Sequence, residues 1–360
     1  MRTSDRGRLA LATTSIAFAL LLGEAAARWL LPPQYRWTQT HRPNAGAAPS
    51  PPIHVFDPQI GWALSPQCFT SHHRGVNPDG SRRSDAIYSI CRGERITSSQ
   101  PQSGPVVVAT GCSFTFGQGI DDQDTWPWLL QQLLPNDHVV NVAAMGYGTD
   151  QALLAAEQEV SRLPRDVRTV VLGFGDFQIE RNRCPQSWLS TLYPFGKPRY
   201  VLQDDKLQDK GLIKLWSLGS VLDNMIDHSV LFSRVANLVA DRLVYRIDQH
   251  DSARSLTVAL ITDFARRFQA RGINLVVVVL PYPGDDVVRS KADRSFVIDQ
   301  LRAAGIPTLV MDIPRSPNGQ FDFHRYLVGS HPGRQYNLLL ANQLAQFLRT
   351  LNASQGSVRQ

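Results

Sequence analysis

From residue 106 onward, short apolar runs of strand length alternate with stretches whose apolar positions recur every three or four residues. The runs predict strands at 106–110, 139–142, 169–174, 273–280 and 308–313, the fourth carrying four consecutive valines. The periodic stretches predict helices at 126–134, 150–163, 256–270, 296–304 and 335–351. The second of these stops before Pro164, and Arg271-Gly272 closes the third. Strands that are apolar throughout, alternating with helices, predict a parallel five-stranded sheet covered on both faces. This domain is expected to span 105–352, followed by a tail at 353–360. Residues 185–250 break the alternation and are read as a helical insertion carrying Trp188, Tyr193, Tyr200 and Trp216. Residues 59–104 are polar and bear glycine and arginine, which suits the short strands and loops of an N-terminal extension.

The start of the chain has a different pattern. Leu9 to Gly23 are fifteen residues without a charge, preceded by Arg2, Arg6 and Arg8. A basic start followed by an apolar stretch is an export pattern. Ala25-Ala26-Ala27 offers small residues for cleavage. Alternatively, the helix continues to Leu31 and has the twenty-odd residues a bilayer needs. The second reading is preferred: 1–8 cytoplasmic, 9–31 a transmembrane anchor, Glu24 and Arg28 paired four apart on one helix face. The positive-inside rule then leaves the rest of the chain outside the cytoplasm. Seven prolines between residues 32 and 58 make that stretch a semi-extended linker.

Composition narrows the chemistry. With 37 Lys plus Arg against 31 Asp plus Glu, the net charge is +6, of which the first thirty residues supply +2 (four Arg against Asp5 and Glu24). No basic run with interleaved aromatics is present, so nucleic acid is not an expected partner. Neither a P-loop nor a zinc-type spacing of Cys and His occurs, and no metal or cofactor is expected. His72-His73 is read as solvated. Asp121, Asp122 and Asp124 are read as complementing the dipole of the following helix. Cys68 and Cys91 can pair in an oxidising compartment, and free buried thiols fit the spacing equally well.

In an open parallel sheet, ligands sit beyond the carboxyl ends of the strands. Three glycine-bearing segments follow the first three strands: Gly111-Cys112-Ser113-Phe114-Thr115-Phe116-Gly117, Ala144-Met145-Gly146-Tyr147-Gly148 and Gly173-Phe174-Gly175-Asp176. His331-Pro332-Gly333 precedes the last helix. A serine at a strand end and a histidine at a helix start can form a nucleophile–base pair if the fold brings them together.

The order of these segments resembles the SGNH/GDSL hydrolase superfamily over roughly 106–351. GCSFTFGQG matches the first block, with Cys112 where that family has Asp. Asn141 to Gly146 matches the second, and His331-Pro332 with Asn337-Leu338-Leu339-Leu340-Ala341 matches the last. GYGTDQ, FGDFQIERN and HVFDPQIGWALSP are similar to a membrane-anchored bacterial branch. The resemblance implies a three-layer flavodoxin-like fold and esterase or acyl hydrolase activity without a cofactor. Its substrate would be a small-molecule or glycan ester; the anchored placement, which in a bacterial branch means a single pass of the inner membrane with the domain in the periplasm, points to one in the cell envelope. It makes Ser113 the nucleophile, His331 the general base, and the backbone amides of Ser113 and Gly146 the oxyanion donors. The third block departs from the family: Gly175 stands at the position of its Asn, and an ionised Asp176 cannot donate. Gln178 and Asn182 are candidates to compensate. Val328 stands three before His331 where the family has its acid, leaving Asp322 to fold back or a Ser–His dyad held by a backbone carbonyl. An O-acyltransferase acting on an exopolysaccharide and a non-catalytic binding or assembly module are the rival readings.

Overall fold

The structure is a computed structural model that describes residues 3–30, 51–76, 82–100, 102–164, 166–182, 196–204, 206–213, 229–232, 235, 253–282, 288–315 and 321–356. The chain divides into two compact units. The described part of the first is helix α1 (Thr3–Leu30) with residues 229–232 and 235. Leu11–Leu30 of α1 has a mean hydropathy of 1.3 and none of its residues is buried; it is long and apolar enough to cross a membrane. Near the end of this stretch the Glu24 carboxylate accepts hydrogen bonds from Arg28 Nε, the Ser229 hydroxyl and the backbone amides of Val230 and Leu231. It therefore caps the start of the short helical stretch at 230–232 in the way an N-cap side chain does.

The second unit is an α/β domain. Its first strands, β1 (His54–Asp57) and β2 (Gly61–Leu64), form an antiparallel hairpin. Then come β3 (Phe69–Val76), β4 (Arg82–Cys91), β5 (Glu94–Arg95), β6 (Val106–Gly111), the one-turn helix α2 (Ser113–Phe116), α3 (Trp126–Leu133), β7 (His138–Asn141), α4 (Thr149–Arg162), β8 (Val167–Phe174) and α5 (Phe177–Asn182). A hairpin of β9 (Lys197–Gln203) and β10 (Lys206–Ile213) follows. The chain continues through α6 (Ala253–Gln269), β11 (Asn274–Val279), α7 (Val288–Ala303), β12 (Thr308–Val310), α8 (Phe323–Tyr326), β13 (Leu327–Val328), β14 (His331–Pro332) and α9 (Arg334–Gly356).

The five anticipated strands pair in parallel in the order β7-β6-β8-β11-β12, which is the flavodoxin-like 2-1-3-4-5 arrangement. The step from β6 to β7 runs opposite to the steps toward β8 and β11. Right-handed crossovers therefore place α3 on one face and α4 and α6 on the other. All six residues of β6 are buried, as a strand covered on both faces requires.

The sheet is wider than the periodicity predicts. β5, β4 and β3 continue it antiparallel beyond β7, giving eight strands. These are short strands of the kind expected in the N-terminal extension; that they join the main sheet is the difference from the sequence reading. Cys68 and Cys91 form a disulfide at the open end of the β3–β4 pair, beside the Phe69–Ile90 rung. By the chain-entropy argument, a loop of this length contributes about 3 kcal/mol.

A second departure falls in the expected helical insertion, where 197–213 is a β-hairpin. Tyr200 and Leu207 face α6, packing with Leu256 and Leu260, and Asp204 at φ 51° starts the turn. Apart from 229–232 and 235, residues 214–252 lie outside the described residues, as do Trp188, Tyr193 and most of the linker.

One ionic cluster joins the extension to the helical layer. Arg162, at the end of α4, pairs with both Glu94 and Glu159. Burial, reinforced by the negative charge of Glu159 and opposed by Arg162, pushes the Glu94 carboxyl from its ordinary 4.5 up to about 7. The unfolded chain ionises Glu94 first, so this group's stability contribution is full below pH 4.5. It is lost as pH rises through 7. Glu94→Gln removes that loss. Arg162 is 45% exposed and water screens the cluster, so the expected gain at pH 8 is only about 1 kcal/mol, roughly 2 °C in Tm. Thermal melts at pH 5 and pH 8 check this. A gain of equal size at both pH values would show that Glu94 is not the titrating group.

Candidate active site

Ser113 lies directly after β6, where the strand order reverses and an open α/β sheet leaves a crevice. The local sequence dictates a sharp exit from the strand. Gly111 has φ +152°, and a Cβ there would come within 2.4 Å of the Thr115 hydroxyl and 2.8 Å of the Gly173 carbonyl. No side chain fits at that position. The amides of Thr115 and Phe116 donate to the Cys112 carbonyl, and those of Gly117 and Gln118 to the Ser113 carbonyl. This single helical turn leaves the Ser113 amide at its start without an intrahelical acceptor. Buried Asn141 donates from Nδ2 to the Thr115 carbonyl and accepts from the Ala143 amide, which ties the turn to the loop after β7.

His331 meets Ser113 across 218 positions of sequence, with Nε2 3.1 Å from the Ser113 Oγ. The histidine sits in a tight antiparallel pair, β13 with β14, and the amide of Gly333 donates to the Tyr326 carbonyl. Asn337, fully buried on α9, fixes this loop from behind. It donates to the carbonyls of Pro332 and Gly333 and accepts from the Trp126 amide. On its other side the imidazole Nδ1 is 3.2 Å from the Ser330 hydroxyl. Asp322 does not fold back to the imidazole: its carboxylate accepts from the Arg325 amide, capping α8. Val328, three before His331, is its cross-strand partner in the β13–β14 pair, and its apolar side chain offers the imidazole no acceptor. Ser330 was missed in sequence, although its adjacency to His331 was the available signal.

The Gly146 loop is braced by the extension. Gly146 has φ 86°. On one side the Trp62 indole donates to the Met145 carbonyl. The Tyr147 hydroxyl in turn donates to the Trp62 carbonyl, and the two rings are 5.5 Å apart. Burial raises the Tyr147 hydroxyl far above its ordinary range, so it stays a donor. Gln151 adds a bond from Nε2 to the Ile60 carbonyl and accepts from the Gly148 amide. The fully buried pair Lys197–Asp150 closes the far end of this loop.

The third block accounts for the missing Asn. A Cβ on Gly175 would stand 2.5 Å from Phe177 Cε1 and 2.7 Å from Cζ, so the Phe177 ring fills the space where an Asn side chain would begin. Phe177 packs on Phe114 at 5.0 Å, and Phe114 meets Tyr282 and the His331 ring, each at 5.6 Å. The reacting pair is thus walled by aromatic rings.

Neither anticipated substitute hydrogen-bonds the serine, though the buried Gln178 Nε2 has no hydrogen-bond partner among the described residues. Asn182 accepts from the Thr149 amide and donates to the Thr257 hydroxyl, capping α4 and pinning α6. Gln178 accepts from the Gly175 amide. Asp176 pairs with Arg294 of α7 at 3.1 Å. Arg181, on α5, donates from Nη1 to the Tyr147 carbonyl and lies 4.4 Å over the Phe177 ring. The acidic run before α3 also has partners other than the helix dipole. Asp121 accepts from the Ile87 amide, Asp122 pairs with buried Arg95, and Asp124 pairs with Arg334. Among the described residues no group of three His, Cys, Asp or Glu side chains could hold a metal.

The mostly parallel sheet with helices on both faces has the flavodoxin-like strand order expected from the sequence. Solved structures that match the chain include GDSL and SGNH hydrolases. A GDSL-like lipase from Bacteroides thetaiotaomicron is 12% identical, covering 71% of this chain and 94% of that one, with a TM-score of 0.39. The psychrotrophic esterase EstA from Pseudoalteromonas sp. is 12% identical over 69% of this chain and 98% of that one, with a TM-score of 0.38. The SGNH-hydrolase family esterase AlinE4 is 11% identical over 61% of this chain and 90% of that one, with a TM-score of 0.33. No protein-family model and no curated protein matches the chain.

Proposed function

We propose that the protein is a membrane-anchored serine esterase of SGNH type, cleaving an O-acyl ester outside the cytoplasm. The observation that carries this reading is the 3.1 Å approach of His331 Nε2 to Ser113 Oγ at the switch point of the sheet. In the reaction, Ser113 Oγ bonds to the ester carbonyl carbon and its proton passes to His331 Nε2. The ester C–O bond then breaks, and the leaving alkoxide takes that proton. Water, deprotonated by His331, hydrolyses the acyl-serine by the same steps in reverse. The amides of Ser113 and Gly146 are the donors for the oxyanion at each tetrahedral stage. The aromatic wall of Phe114, Phe177 and Tyr282 suits an acyl group better than a charged one.

The location rests on three supports. α1 is long and apolar enough to span a bilayer, it follows a basic start, and the Cys68–Cys91 disulfide belongs to oxidising compartments. A cell-envelope glycan ester is therefore the proposed substrate class, and neither nucleic acid nor a cofactor has a role. Glu24 favours an anchor that is kept, because three donors from residues 229–231 depend on it. An N-terminal epitope tag is accordingly expected to remain on membrane-bound protein of full intact mass; a shorter, tag-free mature form would refute the anchor.

The activity is tested covalently. A fluorophosphonate probe is expected to label the detergent-solubilised full chain and to leave Ser113→Ala unlabelled. If the folded wild type resists the probe, the site is a binding module rather than an esterase. If it labels but releases acyl groups only to an added glycan acceptor, it is a transferase.

A further inference from the structure

The two proposed oxyanion amides sit on separate segments. Ser113 starts the turn after β6, and Gly146 belongs to the loop after β7. A hole made of two amides stabilises a tetrahedral oxyanion only when both point at one position within a few tenths of an ångström. The third block offers no side-chain donor from residue 175, because Gly175 lacks one and the Phe177 ring fills the adjoining space. Alignment of the two backbone segments consequently matters more here than in a hole with an independent third donor.

One side chain joins the two segments. Arg181 donates from Nη1 to the carbonyl of Tyr147, immediately after Gly146, at 3.0 Å. Its guanidinium also lies 4.4 Å over the Phe177 ring, which packs at 5.0 Å on Phe114, immediately after Ser113. A planar guanidinium can lie on a ring while donating from its edge; a lysine ammonium on a flexible stem cannot. We propose that Arg181 is a positioning residue that, with the Phe177 ring, clamps the Ser113–Phe114 turn to the Gly146–Tyr147 loop and so sets the oxyanion hole. This rests on the esterase reading of Ser113.

The test uses the full chain in detergent and a short acetyl ester, measuring kcat, KM, phosphonylation rate and Tm for Arg181→Met, Arg181→Lys, Phe177→Leu and the double variant Phe177→Leu/Arg181→Met. Arg181→Met is expected to lower kcat and the phosphonylation rate by about 10²–10³, the effect of losing one aligned donor, with KM within threefold of wild type. Arg181→Lys, which keeps charge and length, is expected to stay at least tenfold slow. In the double variant the losses should be less than additive, because both changes open the same clamp. A role in packing alone would lower Tm while leaving kcat of the folded fraction intact. The proposal is overturned if kcat of folded Arg181→Met stays within threefold of wild type, if KM and kcat worsen together, or if the two changes add independently. Should Arg181→Met fail to fold, Arg181→Lys decides: wild-type kcat overturns the proposal, a tenfold loss at unchanged KM upholds it. An unlabelled wild type would instead remove the esterase reading, and this inference with it.

Discussion

Arg95→Met is expected to cost about 3–5 kcal/mol of stability, enough to threaten the fold of a domain whose total is 5–15. Arg95 is wholly buried at the start of the eight-stranded sheet's antiparallel wing. Its guanidinium donates from Nε to Asp122, from Nη1 to the carbonyls of Phe116 and Gly117, and from Nη2 to those of Ile87 and Ile120. The rings of Tyr88 and Phe116 lie 4.5 and 4.7 Å from it. Burial lowers the Arg95 pKa, and the charge of Asp122 opposes that shift. Methionine preserves most of the stem's packing but leaves Asp122 without its cation and four carbonyls without their donor. Each of those losses is uncompensated desolvation. Lysine repairs little, since three donors on one atom cannot reach five bonds spread around a plane. Urea and thermal melts of the purified protein check this, with a Tm fall on the order of 10 °C. A melt within 1 kcal/mol of wild type would show that the site relaxes around the loss. Activity is expected to fall with stability, because Phe116 and Gly117 close the turn that Ser113 opens.

What the sequence revealed depended on how local each signal is. β6, β8 and β11 were legible because a strand buried on both faces must be apolar at every position, and β-branched runs of that kind have few other uses. Ser113 and His331 were legible because each lies at a strand–turn–helix junction whose glycines and proline mark it. Arg95 carried no such mark: its acceptors at 87, 116, 117, 120 and 122 become neighbours only when the antiparallel wing folds against α2. Trp62 and Ile60 reach the Gly146 loop from more than eighty positions away. The hairpin at 197–213 was misread because its alternation is short and broken by Asp204 and Gly211, both at positive φ. Position 175 was legible as a departure, but not what fills it, since the Phe177 ring and Gly175 are complementary only in space. Asn182 and Asp322 were plausible donors or acids by composition. Each instead caps a helix, the commonest use of a short polar side chain next to one.

His331→Ala is expected to lower kcat by roughly 10⁴–10⁶ with KM little changed, while Ser330→Ala lowers it only about three- to tenfold. The contrast follows from what each atom contributes. Nε2 of His331 faces the Ser113 hydroxyl and has to take its proton, so truncation leaves a neutral alcohol as nucleophile. Ser330 meets the opposite ring nitrogen as an uncharged partner at 3.2 Å. A neutral hydrogen bond of about 0.5–1.5 kcal/mol favours the Nδ1–H tautomer but adds no ionic stabilisation to the imidazolium formed on proton transfer. An orienting carboxylate, by comparison, carries about 10⁴ in triads that have one. The loop itself survives either change, because Asn337 and the β13–β14 pair hold its backbone rather than the imidazole. Steady-state kinetics on an acetyl ester with both variants checks the pair. Retained turnover in His331→Ala would remove the histidine from the mechanism. A 10³-fold loss in Ser330→Ala would mean that the hydroxyl does more than orient the ring, and the dyad would then have to be treated as a serine–histidine–serine relay.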